Sequence, residues 1–137
     1  MTDSPARFKD LCLDAVDHQA LADWWCAALG YVRRDTLEPD DEGWVRPAHW
    51  PVPIVDPAGH GPMIWVNRVP EPKTVKNRLH PDVIGDSAAL QALGATLLRA
   101  SDGADSDHET GAISWDVLAD PEGNEFCCFA PDPAPAS

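Results

Sequence analysis

Hydrophobic residues along this chain switch between two spacings, and the switches outline its elements. From Phe8 to Ala15 the period is two, with Leu11 and Leu13 on one face and Asp10, Cys12 and Asp14 on the other, which predicts a strand. The period then lengthens. Leu21, Trp24, Trp25, Ala28 and Leu29 stand at i, i+3, i+4, i+7 and i+8, one apolar stripe of an amphipathic helix. Asp17 ahead of it suits an N-cap, and Gly30 behind it suits a left-handed stop. Tyr31–Thr36 reads as a short strand.

Periodicity then breaks. Residues 37–62 hold six prolines, two tryptophans and two histidines, a density of proline that excludes a helix. The stretch is predicted to be a long ordered loop with one brief strand near Gly43–Arg46, and loops of that length usually carry function. Met63–Val69 is a clearer strand, Pro70–Asn77 a linker, and Arg78–Ile84 a strand in which Pro81 marks an edge or bulge. Asp86 or Ser87 caps a short helix closed by Gly94, with Leu90 and Leu93 as its buried positions, and Ala95–Ala100 follows as a strand.

The chain closes on a hairpin. Ile113–Leu118 alternates, with Ile113, Trp115 and Val117 on one face; Asp120-Pro121-Glu122-Gly123-Asn124 supplies a turn; and Glu125–Ala130 returns as a strand. Strand, Asp, capped helix, Leu-Gly, strand occurs once in each half, with the Leu-Gly pairs at 29–30 and 93–94. The economical expectation is an α+β fold of two βαβββ modules, about 8–69 and 77–130, in one domain spanning 1–130, with a disordered Pro-rich tail at 131–137.

Composition narrows the function classes. A net charge of −13 argues against nucleic acid and against an anionic membrane surface as partners, since both need clustered Lys and Arg. No apolar run approaches the roughly 18 residues of a membrane span, and MTDSPARFKD lacks a signal-peptide layout, so the expectation is a cytoplasmic protein. Its four cysteines are then free thiols, and adjacent Cys127 and Cys128 point to opposite strand faces.

The capped helix ending ADWWCAALGY, the linker RVPEPKTVKNRLHPD, the second helix ending QALGA and the DPEGNEFCCF hairpin together resemble the vicinal oxygen chelate superfamily, in its small glyoxalase-like subgroup. That superfamily includes glyoxalase I, bleomycin-resistance proteins and extradiol dioxygenases. The resemblance implies two modules whose curved mixed sheet wraps a cavity, a homodimer, and in metal-dependent members four ligands, one each from the first, fourth, fifth and eighth strands. Those slots fall on Asp10, on Trp65 or Asn67, on His80 and on Cys127. Two expected carboxylate or imidazole donors are missing, so no metal is expected. If one binds, Asp10, His80 and Cys127 are the candidate ligands, a set that favours Zn²⁺ over a hard ion.

Other residues carry two readings each. Arg78 either anchors an anion beside His80 or meets solvent, and Lys73 and Lys76 read as a solvated linker. Trp44, Trp50 and Trp65 line an aromatic pocket, with Asn67 and His80 as polar contacts, or else Trp65 packs in the core and the two loop tryptophans pin the proline-rich flap. Asp82 beside His80 is a candidate base, with His80 the other catalytic candidate. His18, His49, His60 and His108 read as ordinary surface. Three functions stay open: a metal-free binder of an acidic or carbonyl-bearing small molecule, a metal-dependent lyase, isomerase or dioxygenase acting on a vicinal-oxygen substrate, and an interaction module without a small ligand.

Overall fold

The computed structural model describes residues 4–36, 38–103 and 105–131. It contains the expected α+β fold as two successive βαβββ units, one ending at Pro72 and the other beginning at Lys73. Most of the tail predicted to be disordered, from 132 onward, lies outside the described residues.

In the first unit, β1 (Leu11–Ala15), β2 (Val32–Arg33), β3 (Val52–Val55) and β4 (Ile64–Arg68) form a sheet in the order β1-β4-β3-β2. β1 runs parallel to β4, and the remaining pairs are antiparallel. Helix α1 (His18–Leu29) starts where the Asp17 carboxylate accepts the Ala20 N–H and ends at Gly30, whose φ of 72° suits a residue without a β-carbon. Leu21, Ala22, Trp24 and Trp25 are buried, as are Val52, Ile54 and Val66 in the sheet. Ala28 and Leu29 are only half-buried, so the stripe fades toward the helix end.

Three sequence expectations need correction here. β1 begins at Leu11, and Phe8 is exposed. No strand forms at Gly43–Arg46: the Asp40 carboxylate accepts the Glu42 and Trp44 N–H groups, and that local side-chain bonding closes a turn instead. The loop's strand is β3, inside the proline-rich run. Pro53 fits there because its carbonyl and its hydrogen-less nitrogen face the same side; the carbonyl accepts the Arg34 N–H at 2.9 Å, and with no donor to return, β2 stops at Arg33 rather than reaching Thr36.

The second unit repeats the topology. β5 (Asp82–Ile84), β6 (Thr96–Arg99), β7 (Asp116–Ala119) and β8 (Glu125–Phe129) lie in the order β5-β8-β7-β6, with β5 parallel to β8. α2 (Ser87–Ala92) is capped by the Asp86 carboxylate, which accepts the Ala88 and Ala89 N–H groups. It buries Leu90, whereas Leu93, also expected in the core, forms the C-cap of this six-residue helix and is 46% exposed. β5 is shorter than predicted: Arg78 to Pro81 precede it. β7 starts at Asp116, although Ile113 is buried ahead of it. Asp116 and Leu118 share the α2 side of the sheet, where the Ser87 hydroxyl and Ser101 N–H hold the Asp116 carboxylate at 2.6 and 2.7 Å.

The turn between β7 and β8 is a closed polar lock. The buried Asp120 carboxylate accepts the N–H groups of Glu122 and Asn124 and both reaches of the Asn124 side-chain amide. Asn124 in turn accepts from the Asn77 amide at 2.9 Å, and Glu125 accepts from Lys73 Nζ at 2.7 Å and the Asn77 N–H at 3.1 Å. The linker is therefore strapped onto the hairpin. Among the described residues, no helix is long and apolar enough to cross a membrane.

Two outcomes are expected. Asn124→Ala strips donors from the buried Asp120 carboxylate and should lower unfolding free energy by ~2–4 kcal/mol in urea melts. Burial alone would raise the Glu125 carboxyl, but Lys73 and the Asn77 N–H outweigh it and hold the group down from the ordinary 4.5 to about 2. A depressed folded value contributes stability above the ordinary one and loses it as pH falls, here from about 4.5 through about 2. The urea midpoint should drop across that window, and Glu125→Gln should start lower at neutral pH and drop less.

Candidate functional site

Register fixes the site in the second unit. Asp82 on β5 pairs with Cys127 on β8, and Val117 on β7 pairs with Cys127 from the other side. Directly opposite residues share a sheet face, so Asp82 and Cys127 project together, away from the α2 side. Cys128 faces the other way, toward Gly85. The Pro81 carbonyl accepts the Cys127 N–H at 3.0 Å, which extends the pairing one residue before β5. His80 then places Nε2 3.6 Å from Asp82 Oδ1, close enough for an ion pair when the imidazole is protonated.

These three residues each bring a ligand-capable atom within 4.8 Å of the others, with Cys127 buried and His80 and Asp82 exposed. Burial, then the neighbouring Asp82 charge and hydrogen bond, push the Cys127 thiol above its ordinary value, against a weaker pull from Lys76 and the Trp115 indole N–H. The thiol is therefore protonated at neutral pH. Trp115 also packs its ring on Phe129, centroids 5.3 Å apart and 31° between planes. An apolar wall thus stands beside a polar cluster of one base, one acid and one thiol. Nitrogen, oxygen and sulfur donors together suit a zinc-class ion better than Mg²⁺ or Ca²⁺.

The first unit places Asp10, Trp65 and Asn67 on one face of its own sheet, since Cys12 opposes Trp65 and Asp14 opposes Asn67. Trp65 Nε1 donates to Asp10 Oδ2 at 3.1 Å, and Lys9 Nζ reaches the same oxygen at 2.7 Å. Lys9 first, then Trp65, keep the Asp10 carboxyl below its ordinary range. Asp10 belongs to one unit, and His80 and Cys127 to the other.

Arg78 is exposed and lies ahead of β5, so the strand face it was expected to share with His80 does not exist. Trp44 and Trp50 are exposed at 53% and 39%, with ring centroids 5.7 Å apart and Arg46 stacked over Trp50 at 5.1 Å. Two side chains of α1 hold this flap: His18 Nε2 meets the Trp50 carbonyl at 3.0 Å, and Gln19 donates to the Ala48 carbonyl at 3.0 Å. His18, read as surface, is buried. Its place three and four residues before Leu21 and Ala22, on the helix stripe, was the available signal. Trp115 was also missed as a site residue, although its parity with Val117 put it on the Cys127 face once the hairpin register was known.

Because the Asp82 charge helps to keep the thiol protonated, Asp82→Asn should speed alkylation of Cys127 by iodoacetamide near pH 8, followed peptide by peptide in mass spectra. An unchanged rate would remove Asp82 as an influence on the sulfur.

The glyoxalase-like domain family matches residues 10–129. Solved structures with this fold include a glyoxalase/bleomycin resistance protein/dioxygenase family enzyme from Burkholderia phytofirmans PsJN, 17% identical with a TM-score of 0.59 over 91% of this chain and 98% of that one. Protein ATC0852 from Agrobacterium tumefaciens is 14% identical, with a TM-score of 0.59 over 91% and 98% of the two chains. The oxidase ChaP-H2 is 12% identical, with a TM-score of 0.54 over 93% and 95%. Identities this low establish likeness of fold alone. No curated protein matches the sequence. With the paired βαβββ units and a match covering nearly the whole chain, this protein belongs to the glyoxalase-like domain family.

Proposed function

We propose that the protein binds a small organic molecule carrying a carbonyl or anionic oxygen on the face of the second unit's sheet that bears Cys127. The observation that carries this reading is the placement of the His80–Asp82–Cys127 cluster beside the Trp115–Phe129 ring pair. The imidazole and thiol donate hydrogen bonds to a ligand oxygen, the carboxylate accepts from a ligand hydroxyl, and the rings cover apolar surface. Of the residues singled out from sequence, His80, Asp82 and Cys127 make up this cluster. Trp65 and Asn67 share the corresponding face in the first unit, and Trp44 and Trp50 offer an exposed aromatic pair on the flap.

A second reading is a metal-dependent lyase, isomerase or dioxygenase, favoured by the same convergence of three donors. His80, Asp82 and Cys127 would hold the ion, which when bound supplies Lewis-acid polarisation of a carbonyl. Asp82 and His80 are the groups placed to move a proton.

Chelator-treated protein screened by thermal shift against small carboxylates, 2-oxo acids and hydroxyketones tests the first reading. A ligand at 100 times its Kd adds ~2.7 kcal/mol, so a binder should raise Tm measurably, and His80→Ala and Trp115→Ala should abolish the rise. Stabilisation only after adding Zn²⁺ or Ni²⁺, with turnover confined to that form, would transfer the function to the enzyme reading.

A further inference from the structure

We infer that the first unit holds a small oxyanion, a phosphate or carboxylate group, between Arg68 of β4 and His49 of the proline-rich flap. This site is separate from the organic-ligand reading of the second unit and does not depend on it.

Strand parity places the cation. Ile64, the buried Val66 and Arg68 share the α1 side of the sheet, and Trp65 and Asn67 take the other. Arg68 lies opposite Ala15 at the end of β4, so its side chain leaves the sheet beside the first turn of α1, away from the Trp65 face. A recess of about 580 Å³ opens there, lined among others by Asp17, His18, Gln19, Ala48, His49 and Arg68. That volume is within the range of small-molecule sites. The flap wall is held by α1. His18 Nε2 meets the Trp50 carbonyl and the Gln19 amide donates to the Ala48 carbonyl, each at 3.0 Å, so the backbone is tethered on both sides of His49.

Charge points to an anion. The chain carries 23 acidic residues against 10 lysines and arginines, so a cation without a carboxylate is unexpected. Lys9, Arg33, Arg46, Lys73 and Arg99 each meet one. Among the described residues Arg68 meets none, and His49 makes no side-chain hydrogen bond. The acid lining the recess, Asp17, turns an oxygen to the Ala20 N–H at 3.1 Å as the helix cap. The Gln19 amide is occupied at both ends, by the Ala48 carbonyl and by Arg33. The guanidinium and the His49 imidazole are therefore the donors left for a ligand, and an oxyanion accepts from both. A metal ion would be repelled by Arg68. Once bound, the oxyanion ties the flap at residue 49 to β4.

Amide chemical shifts of the full ¹⁵N-labelled chain test the site, with inorganic phosphate, acetate and chloride added separately at matched ionic strength. A net charge of −13 repels anions in general, so saturable binding requires a local site. The His49, Trp50 and Arg68 amides should shift saturably with phosphate or acetate, the tighter binder naming the group, and chloride should move them little. Arg68→Gln and His49→Ala should each weaken binding at least about tenfold, the loss of one charge-assisted bond. Arg78→Gln, at an exposed arginine of the second unit, should change it less than about twofold. Arg68 and His49 are exposed, so both variants should keep the fold, with unchanged amide positions for the buried Val52 and Val66 as the check. Shifts linear in anion concentration, an equal response to chloride, or an Arg78→Gln loss equal to that of Arg68→Gln overturns the site. Every reporter lies in the first unit, so failure here would leave the second unit's ligand reading standing, and failure of that ligand screen would leave this site standing.

Discussion

Everything distinctive in the second unit hangs on the carboxylate of Asp120. The residue is 3% exposed, and a polar group so removed from water is tolerated only because backbone and amide N–H groups surround it. Those bonds fix the turn, and the turn fixes which residue of β8 faces which residue of β7. A slip of one residue would exchange Cys127 with Cys128 and turn the buried Phe126 to the opposite face. The lock also reaches backward. Asn124 and Glu125 bind Asn77 and Lys73, so the linker that leads toward His80 is held by the same turn that positions Cys127.

The first unit uses a different device for a similar end. Ahead of β3 its proline-rich flap forms no strand among the described residues, and side chains from α1 hold it through carbonyl groups. His18 and Gln19 take the carbonyls of Trp50 and Ala48, and Arg46 takes that of Pro51 at 2.6 Å. Gln19 is fixed in turn by Arg33, whose guanidinium also pairs with Asp23 and Asp35. An exposed tryptophan pair is thereby displayed from a supported loop, where unsupported aromatic surface would be costly to order.

Charge explains why the Cys127 cluster stands out. Most acidic groups with shifted carboxyls are lowered by a partner already in place: Lys9 for Asp10, Arg33 for Asp35, turn N–H groups for Asp56. At Cys127 the shift runs upward, with burial first and an anionic neighbour second, as it also does at Cys26 and Tyr31; what sets Cys127 apart is that His80 and Asp82 both bring donor atoms within 4.8 Å of it. A buried thiol beside an exposed carboxylate favours whatever brings positive charge or a hydrogen bond, which is the physical basis for reading a ligand or a cation there.

Local features were legible in the amino-acid order. The 3.6-residue stripe of α1, its Asp17 cap and Gly30 stop, the Asp86 cap of α2, and the DPEGN turn all depend on neighbours within a few positions, so spacing and residue type determined them. The repeat of those signals determined the paired βαβββ architecture. What residues far apart do together was decided by tertiary structure. Asp82 meets Cys127, 45 positions further along, because β5 and β8 are parallel, and parallel strands carry no hairpin to announce their register. Pro53 lies within a ladder because β2 happens to end beside it, and His18 is buried because a flap thirty residues later closes over it. Asp10 receives the Trp65 indole N–H for the same reason: a carboxylate takes the donors that folding brings near, and chain order shows only the adjacent Lys9.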